Sequence, residues 1–286
     1  MKLYNIVDED NTNYPFESFV FSGGEPHIKI NPDFVRNQRI WVDARPKSGT
    51  EFMQLLVFLD TLRSLKPDKL GLFIPYFPGA RQDRRQVGTP HTLKVYAELL
   101  EKFELDEILV LDPHSDVLGG LLNINTIEPQ EVFIPLEKQY DGIICPDAGA
   151  EKRVRKFAEK AKIDNIIFCH KKRNTNDGKL SHFEIVGISD NNLGHFLMVD
   201  DICDGGATFI GLADHLFNTY GKNNIKLDLF VSHGIFSKGF NELLLRFEKI
   251  ITTDSMISYE SDRFVTIKSL FWHAAYKMRE LLKENS

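Results

Sequence analysis

A short stretch in the second half of the chain carries side chains that suit a site for a phosphorylated sugar. In FLMVDDICDGGATFIGLADHL, the carboxylates Asp200 and Asp201 directly follow an apolar run, and Asp204 and Thr208 flank two glycines. If the run is a strand and a helix begins near Ala207, the first backbone N–H groups of that helix and the Thr208 hydroxyl converge on one point. Such a geometry binds phosphate.

The paired aspartates separate a binding site from an ordinary turn. Asp200 and Asp201 project to opposite sides if the strand continues, so one would reach ribose hydroxyls or a magnesium ion while the other orders the loop. In the alternative interpretation, Asp204 only caps the helix, and the glycines only turn the chain. We favour binding because of the aspartate pair. The residues predicted to hold the ribose phosphate are Asp200, Asp201, Asp204, Gly205, Gly206, Ala207 and Thr208.

The elements that must position this loop follow a regular rhythm. Apolar or β-branched runs alternate with helix-period segments, which is typical of βαβ units around a mainly parallel sheet, so we predict an α/β fold. The predicted strands are 39–43, 69–74, 107–111, 142–145, 165–169, 195–199, 226–231 and 249–252, with 183–186 as an added edge strand. The predicted helices are 50–65, 90–102, 150–161, 207–220 and 269–283. Thr89 and Pro90 predict the start of the second helix.

The length and composition indicate two folded domains. At about 150 residues per domain, the 286 residues suggest two. We place the boundary near Val132 to Tyr140, which gives an N-terminal domain of residues 1–135 and a C-terminal domain of residues 136–267. A final helix within 268–286 could return to the first domain.

Charge and cysteine usage narrow the function classes. A net charge of −6 disfavours nucleic-acid binding, and no apolar stretch approaches the roughly 18 residues of a membrane span. The three cysteines form no C-x-x-C pair, so neither disulfides nor structural zinc are indicated. With no signal-peptide pattern, we expect a cytoplasmic protein. An anionic substrate would therefore need a local basic pocket, for which the runs RQDRR, EKRVRK and HKKR are candidates. EKRVRK could equally be a solvated helix face.

Four strand ends are polar, and ligands of open α/β sheets bind beyond such ends. They are ARQD after FIPYFPG, DPHSD after EILVL, PDAGAEKR after GIIC, and DDICDGGAT after FLMV. A single polar strand end is weak evidence, because aspartate often caps the next helix. Four ends rich in Asp, His and Arg indicate one shared site.

These segments resemble a known family. MVDDICDGGAT is similar to the ribose-phosphate loop shared by phosphoribosyltransferases and ribose-phosphate pyrophosphokinases (PRPP synthetases). FSGGE, IPYFPGARQDRR, LDPHSD, CPDAGAEKRVRKFA, HKKR and VSHGIFSKG resemble segments of the synthetases in the same order, over residues 19–255. The resemblance implies two similar phosphoribosyltransferase-type domains, each with a mainly parallel sheet flanked by helices.

The resemblance also implies residue roles and cofactors. Arg81 and Gln82 would contact ATP, and His114 and Asp147 would hold Mg²⁺ with the ATP phosphates. From the residues alone, His114 could equally be a strand-end helix cap. Lys171 and Arg173 would lie on a mobile catalytic loop and point the same way, although an exposed basic loop is the plainer interpretation.

An adenine pocket completed by a neighbouring subunit is a further implication. Phe21 would stack on the base and Glu25 would accept a hydrogen bond from it, which implies a homo-oligomer, a dimer or hexamer. Taken alone, a loop phenylalanine is more often part of a core.

The implied reaction is attack of a ribose C1 hydroxyl on the β-phosphorus of Mg-ATP, which yields AMP and PRPP. Departures from the family leave the acceptor open: Gly205 stands where a hydroxyl residue is usual, Ala207 where glycine is usual, and Gly23 where a polar residue is common. The alternatives to ribose 5-phosphate are ADP-ribose, which would give ADP-ribose pyrophosphate for NAD synthesis, or no reaction in a silent regulatory homologue. A phosphoribosyltransferase that consumes PRPP is the remaining alternative.

Overall fold

The computed structural model describes residues 4–7, 13–135, 139–173, 180–187, 194–258 and 263–284. The strands are β1 (Tyr4–Val7), β2 (Asn13–Tyr14), β3 (Phe16–Val20), β4 (Pro26–Ile30), β5 (Arg39–Ala44), β6 (Lys69–Phe73), β7 (Glu107–Leu111), β8 (Asn125–Ile127), β9 (Gly142–Cys145), β10 (Ile166–Arg173), β11 (Leu180–Val186), β12 (His195–Cys203), β13 (Lys226–Gly234), β14 (Lys249–Thr253) and β15 (Val265–Lys268). The helices are α1 (Gly49–Ser64), α2 (Thr92–Glu101), α3 (Val117–Leu121), α4 (Pro129–Val132), α5 (Glu151–Ala161), α6 (Ala207–Tyr220), α7 (Asn241–Leu244) and α8 (Phe271–Glu284), with a 3-10 turn at Pro32–Phe34.

The chain divides into two compact units, Met1–Glu128 with Phe271–Ser286, and Pro129–Leu270. In the first unit, the sheet order is β2-β1-β5-β6-β7-β8, with β5 to β8 parallel and β1 antiparallel to β5. Helix α8 contacts β7 and β8. Strands β3 and β4 form a separate antiparallel hairpin.

The second unit holds the strand that leads into the candidate ribose-phosphate loop. Its sheet order is β11-β10-β9-β12-β13-β14-β15, in which all neighbours are parallel except β10 and β11. Alternate residues of β12 enter two hydrophobic clusters: Met198 packs with residues of α6, and Leu197 packs with residues of α5. Because helices cover both faces, the strand reads as a continuous apolar run.

The predicted α/β class with mainly parallel sheets flanked by helices is confirmed. The short strands β8 and β15 and the N-terminal hairpin were not predicted, because two to five residues carry too little periodicity to be recognised. Strand β12 continues to Cys203, four residues beyond the predicted end at Val199. It therefore includes both aspartates of the loop.

The predicted start of α2 at Pro90 is wrong. The helix begins at Thr92 after His91. The Thr89 hydroxyl accepts a hydrogen bond from the Gln86 backbone N–H at 3.0 Å and donates to the Gln86 carbonyl at 3.1 Å, so it closes a turn before the helix. The Thr89–Pro90 pair therefore marks a turn, but this turn lies before the helix and does not cap it.

Within the part of the chain that the structure describes, no helix is long and apolar enough to cross a membrane.

Candidate active site

The loop between β12 and α6 has the geometry of an anion site. Gly206 precedes α6 with φ 76° and ψ −1°, a left-handed conformation that favours glycine, and as the N-cap residue it offers the helix no side-chain hydrogen bond. Asp204 Oδ1 accepts a hydrogen bond from the Ser237 hydroxyl at 2.6 Å, so Asp204 is more than a helix cap, because it ties the loop to the segment after β13. The first backbone N–H groups of α6 are the donors that an anion would use here.

Arg153 holds the two consecutive aspartates of the loop. Its Nη1 lies 3.6 Å from Asp200 Oδ1, and its Nη2 lies 3.5 Å from Asp201 Oδ2. All three side chains are largely buried, with 10% of Arg153, 14% of Asp200 and 6% of Asp201 exposed. Both carboxylates reach one guanidinium, although they occupy consecutive positions of strand β12. The interpretation of EKRVRK as a wholly solvated face is wrong.

The Asp200 carboxyl has an unusual charge environment. Burial, the Asp201 carboxylate and Asp147 raise the pKa of Asp200 well above its usual range, and Arg153 opposes that rise. Two carboxyl groups share one arginine, which gives this pocket a surplus of negative charge. A cation or a hydrogen-bond donor, such as a ribose hydroxyl, would relieve it.

An Asp200→Asn variant is expected to be more stable than the wild type at neutral pH. The pKa of Asp200 is raised on folding, so its contribution to stability is full below the unfolded pKa of about 3.9 and is lost as the pH rises through the folded value. The asparagine removes that loss, and Asp201 still balances Arg153. We expect the variant to gain stability at about pH 8 and to gain less at about pH 5.

Urea unfolding of both proteins at the two pH values measures this difference. An equal difference at both values would contradict the charge argument. Activity of the variant should fall, because Asp200 is placed in the binding loop.

Asp147 orders the turn before α5. Its Oδ1 accepts hydrogen bonds from the backbone N–H groups of Gly149 and Ala150 at 3.0 and 3.2 Å. Asp147 also contributes to the raised pKa of Asp200, which places its charge near the loop aspartates. The charge of Asp147 therefore acts on Asp200 within the second unit.

The residues predicted to contact ATP and magnesium from the first unit also lie at strand ends. His114 follows β7 after Asp112, whose φ of 36° turns the chain sharply at the end of the strand. Arg81 and Gln82 are exposed in the segment after β6, and the Gln82 side-chain oxygen accepts a hydrogen bond from the Thr92 hydroxyl at the start of α2. Arg81, Gln82 and His114 belong to the first unit, whereas Asp147 belongs to the second.

The β3–β4 hairpin presents Phe21 at its tip. Phe21 is 51% exposed, and its ring lies 5.1 Å from that of Phe19 and 5.4 Å from that of His27. The interpretation of Phe21 as a core residue is therefore wrong. A Cβ atom built at Gly23 would lie 2.6 Å from Glu25 Oε2, so the Glu25 carboxylate takes up the space of a side chain at position 23.

Lys171 and Arg173 are strand residues in the structure, not loop residues as expected. They end β10, where Lys171 pairs with Phe183 and Arg173 with Leu180 of β11. The strand extends this far because β11 returns antiparallel and supplies backbone hydrogen-bond partners. The pairing of the two strands shifts register between Lys172 and Arg173. The catalytic assignment of the two cations remains a prediction.

A second polar cluster lies at the amino ends of strands in the same sheet, away from the carboxyl end of β12 that carries the loop. His195, Asp228 and Glu248 have ligand atoms within 4.8 Å of one another at the amino ends of β12, β13 and β14. Buried Asp228 accepts hydrogen bonds from Tyr140 at 2.7 Å and from the Lys249 backbone at 3.0 Å. These bonds tie Asp228 into the protein, so we assign the cluster a structural role away from the loop.

The fold and the loop together define an α/β protein whose central parallel strand β12 ends in paired aspartates, followed by a glycine turn and a helix. Ligands of open α/β sheets bind at such strand ends.

Comparison with known proteins narrows the class to one family. The family model for the N-terminal domain of ribose phosphate pyrophosphokinase matches residues 11–103. Ribose-phosphate pyrophosphokinase of Mycoplasmopsis pulmonis is 30% identical over 84% of this chain and 76% of its own length. The Aquifex aeolicus protein of the same name is 29% identical over 91% of this chain and 86% of its own. The chain belongs to the ribose-phosphate pyrophosphokinase family.

A solved structure agrees in fold. Phosphoribosylpyrophosphate synthetase from Mycobacterium smegmatis superposes with a TM-score of 0.82 at 20% identity, covering 96% of this chain and 92% of that one.

Proposed function

We propose that the protein transfers the β,γ-diphosphoryl group of ATP to the C1 hydroxyl of ribose 5-phosphate, which yields PRPP and AMP. The observation that carries the proposal is the β12–α6 loop, where two aspartates held by Arg153 adjoin the N-terminus of α6, in a chain of this family. The relatives reported above are all named for ribose phosphate, so ribose 5-phosphate is the proposed acceptor. No observation favours ADP-ribose or a regulatory homologue.

On the acceptor side, each part of the loop has a distinct task. Asp200 and Asp201 accept hydrogen bonds from the ribose hydroxyls, while Arg153 keeps their carboxylates in place. The 5-phosphate occupies the start of α6, where the backbone N–H groups and the Thr208 hydroxyl donate to it. This arrangement fixes the sugar so that its C1 hydroxyl is presented for attack, and no protein nucleophile is required.

The ATP side is assigned by resemblance. Arg81 and Gln82 contact the nucleotide, and Phe21 and Glu25 of a neighbouring subunit complete the adenine pocket in a homo-oligomer. The exposure of Phe21 supports a stacking role, because the ring is accessible at the hairpin tip. Lys171 and Arg173 neutralise charge on the transferred group, where phosphoryl transfer depends mostly on positioning and electrostatics.

Magnesium fits the donors of the proposed site. Asp200 and Asp201 lie together on Arg153, the charge of Asp147 acts on Asp200, and carboxylate oxygens are the ligands that Mg²⁺ prefers. Asp147 and His114 are the residues proposed to hold the ion with the ATP phosphates. When bound, the ion would neutralise charge on the phosphate oxygens.

The proposal is tested by incubating the purified protein with Mg-ATP and either ribose 5-phosphate or ADP-ribose. AMP release and product mass are followed, and a reaction without sugar measures simple ATP hydrolysis. We expect AMP and PRPP in equal amounts with ribose 5-phosphate. If no AMP forms with either sugar, the proposed activity is refuted. If product forms only with ADP-ribose, then ADP-ribose is the acceptor instead of ribose 5-phosphate.

A further inference from the structure

The segment that follows β13 is bound to the ribose-phosphate loop. The backbone N–H groups of Ile235 and Phe236 donate to the Cys203 carbonyl at 2.9 and 3.1 Å. The Ser237 backbone N–H donates to the Asp204 carbonyl at 3.2 Å, and its hydroxyl donates to the Asp204 carboxylate. The residue after Ser237 is therefore held beside the loop.

That residue is Lys238, and its side chain lies against Gly205. A Cβ atom built at Gly205 would lie 3.4 Å from both Cδ and Cε of Lys238. The ammonium nitrogen is one bond beyond Cε, so the charge lies next to the loop. The hydrocarbon part of the lysine occupies the space above the glycine, and its charged end stays accessible because Lys238 is exposed.

The loop beside Lys238 carries several negatively charged side chains. Asp200, Asp201 and Asp204 are all acidic, and Arg153 forms ion pairs with Asp200 and Asp201. Within the described part of the chain, Lys238 has no ion pair or side-chain hydrogen bond. A phosphate entering between three carboxylates needs a positive charge nearby, because like charges at close range oppose binding.

We propose that Lys238 is a specificity-determining residue that binds the phosphate monoester on C5 of the acceptor ribose. This inference rests on the proposed function and deepens it. Position 205 carries no side chain, and Thr208 has the only side-chain hydroxyl between residues 204 and 208. The lysine supplies the charge-assisted hydrogen bond that the loop itself lacks.

Lys238→Met tests the proposal, because methionine keeps an unbranched side chain over Gly205 and removes the charge. A charge-assisted hydrogen bond contributes about 1.5–3 kcal/mol, so we expect the KM for ribose 5-phosphate to rise about tenfold to a hundredfold. The kcat and the KM for ATP should stay within about twofold, since the contact is equal in ground and transition states. Lys238→Arg should restore most of the affinity.

Lys160→Met is the matched control, because Lys160 is an exposed lysine on α5 of the same unit and the charge change is identical. Its KM should equal that of the wild type. The salt dependence of the KM for ribose 5-phosphate gives a second measurement. The KM should rise more steeply with salt in the wild type than in Lys238→Met, because salt screens the lysine–phosphate contact that only the wild type makes.

The outcomes separate the two proposals. Wild-type protein that forms no PRPP refutes the proposed function, and this inference with it. If the wild type forms PRPP and Lys238→Met keeps its KM within about twofold, the function stands and the role of Lys238 is overturned. An equal loss in the arginine and methionine variants would also overturn it. Thermal unfolding checks that each variant is folded. If Lys238→Met does not fold, Lys238→Gln removes the charge in its place.

Discussion

A Lys171→Ala variant is expected to form PRPP about a hundred to a thousand times more slowly than the wild type, with little change in the KM for ATP. The reason is that the Lys171 charge is assigned to the transferred diphosphoryl group, where negative charge shifts during the reaction. An interaction made mainly in the transition state lowers kcat when it is removed, and leaves ground-state binding nearly intact. Initial rates of AMP formation at saturating substrates measure the effect.

Lys172→Ala is the control for this prediction. It removes the same charge from the adjacent position of β10, which has no assigned role, and should keep kcat within about threefold. A Lys171→Ala rate close to that of the wild type would show that the resemblance assigns the catalytic cation wrongly. Far-ultraviolet circular dichroism and thermal unfolding establish that both variants are folded like the wild type.

Replacing Arg153 with methionine is expected to cost about 3–5 kcal/mol of the free energy of unfolding of the second unit. Asp200 and Asp201 would then lie together in a largely buried site without their counter-charge. Arg153 is also the charge that opposes the rise in the pKa of Asp200 caused by burial and by Asp201. Acceptor binding should fall by more than tenfold, because the guanidinium that holds both carboxylates in place is lost.

Arg155→Met gives the comparison on the same helix. Arg155 pairs with Glu151 at 2.8 Å, but its side chain is 58% exposed, so we expect a loss of about 1 kcal/mol or less. Urea unfolding at neutral pH compares the two. Combining Arg153→Met with Asp200→Asn should recover part of the lost stability, because one unmatched carboxylate is removed. Equal losses in the two arginine variants would contradict the buried pairing.

Some parts of the fold were predictable because their signals are local. Helix α6 begins at Ala207 and ends at Tyr220, as predicted, since a glycine pair precedes it and Gly221 follows it. The end of β12 was predicted too early, because an aspartate pair usually marks the end of a strand. Here Arg153 and the partner strand β13 stabilise those aspartates within the sheet.

The sequence by itself determined the α/β class, the polar strand ends and the resemblance to one family, because each depends on residues adjacent in the chain. Only the tertiary structure decided which side chains meet. Arg153 contacts Asp200 and Asp201, Ser237 binds Asp204, and Lys238 covers Gly205, over separations of more than thirty residues. No local pattern encodes such pairs, since they form only when parallel strands align their carboxyl ends at one edge of the sheet.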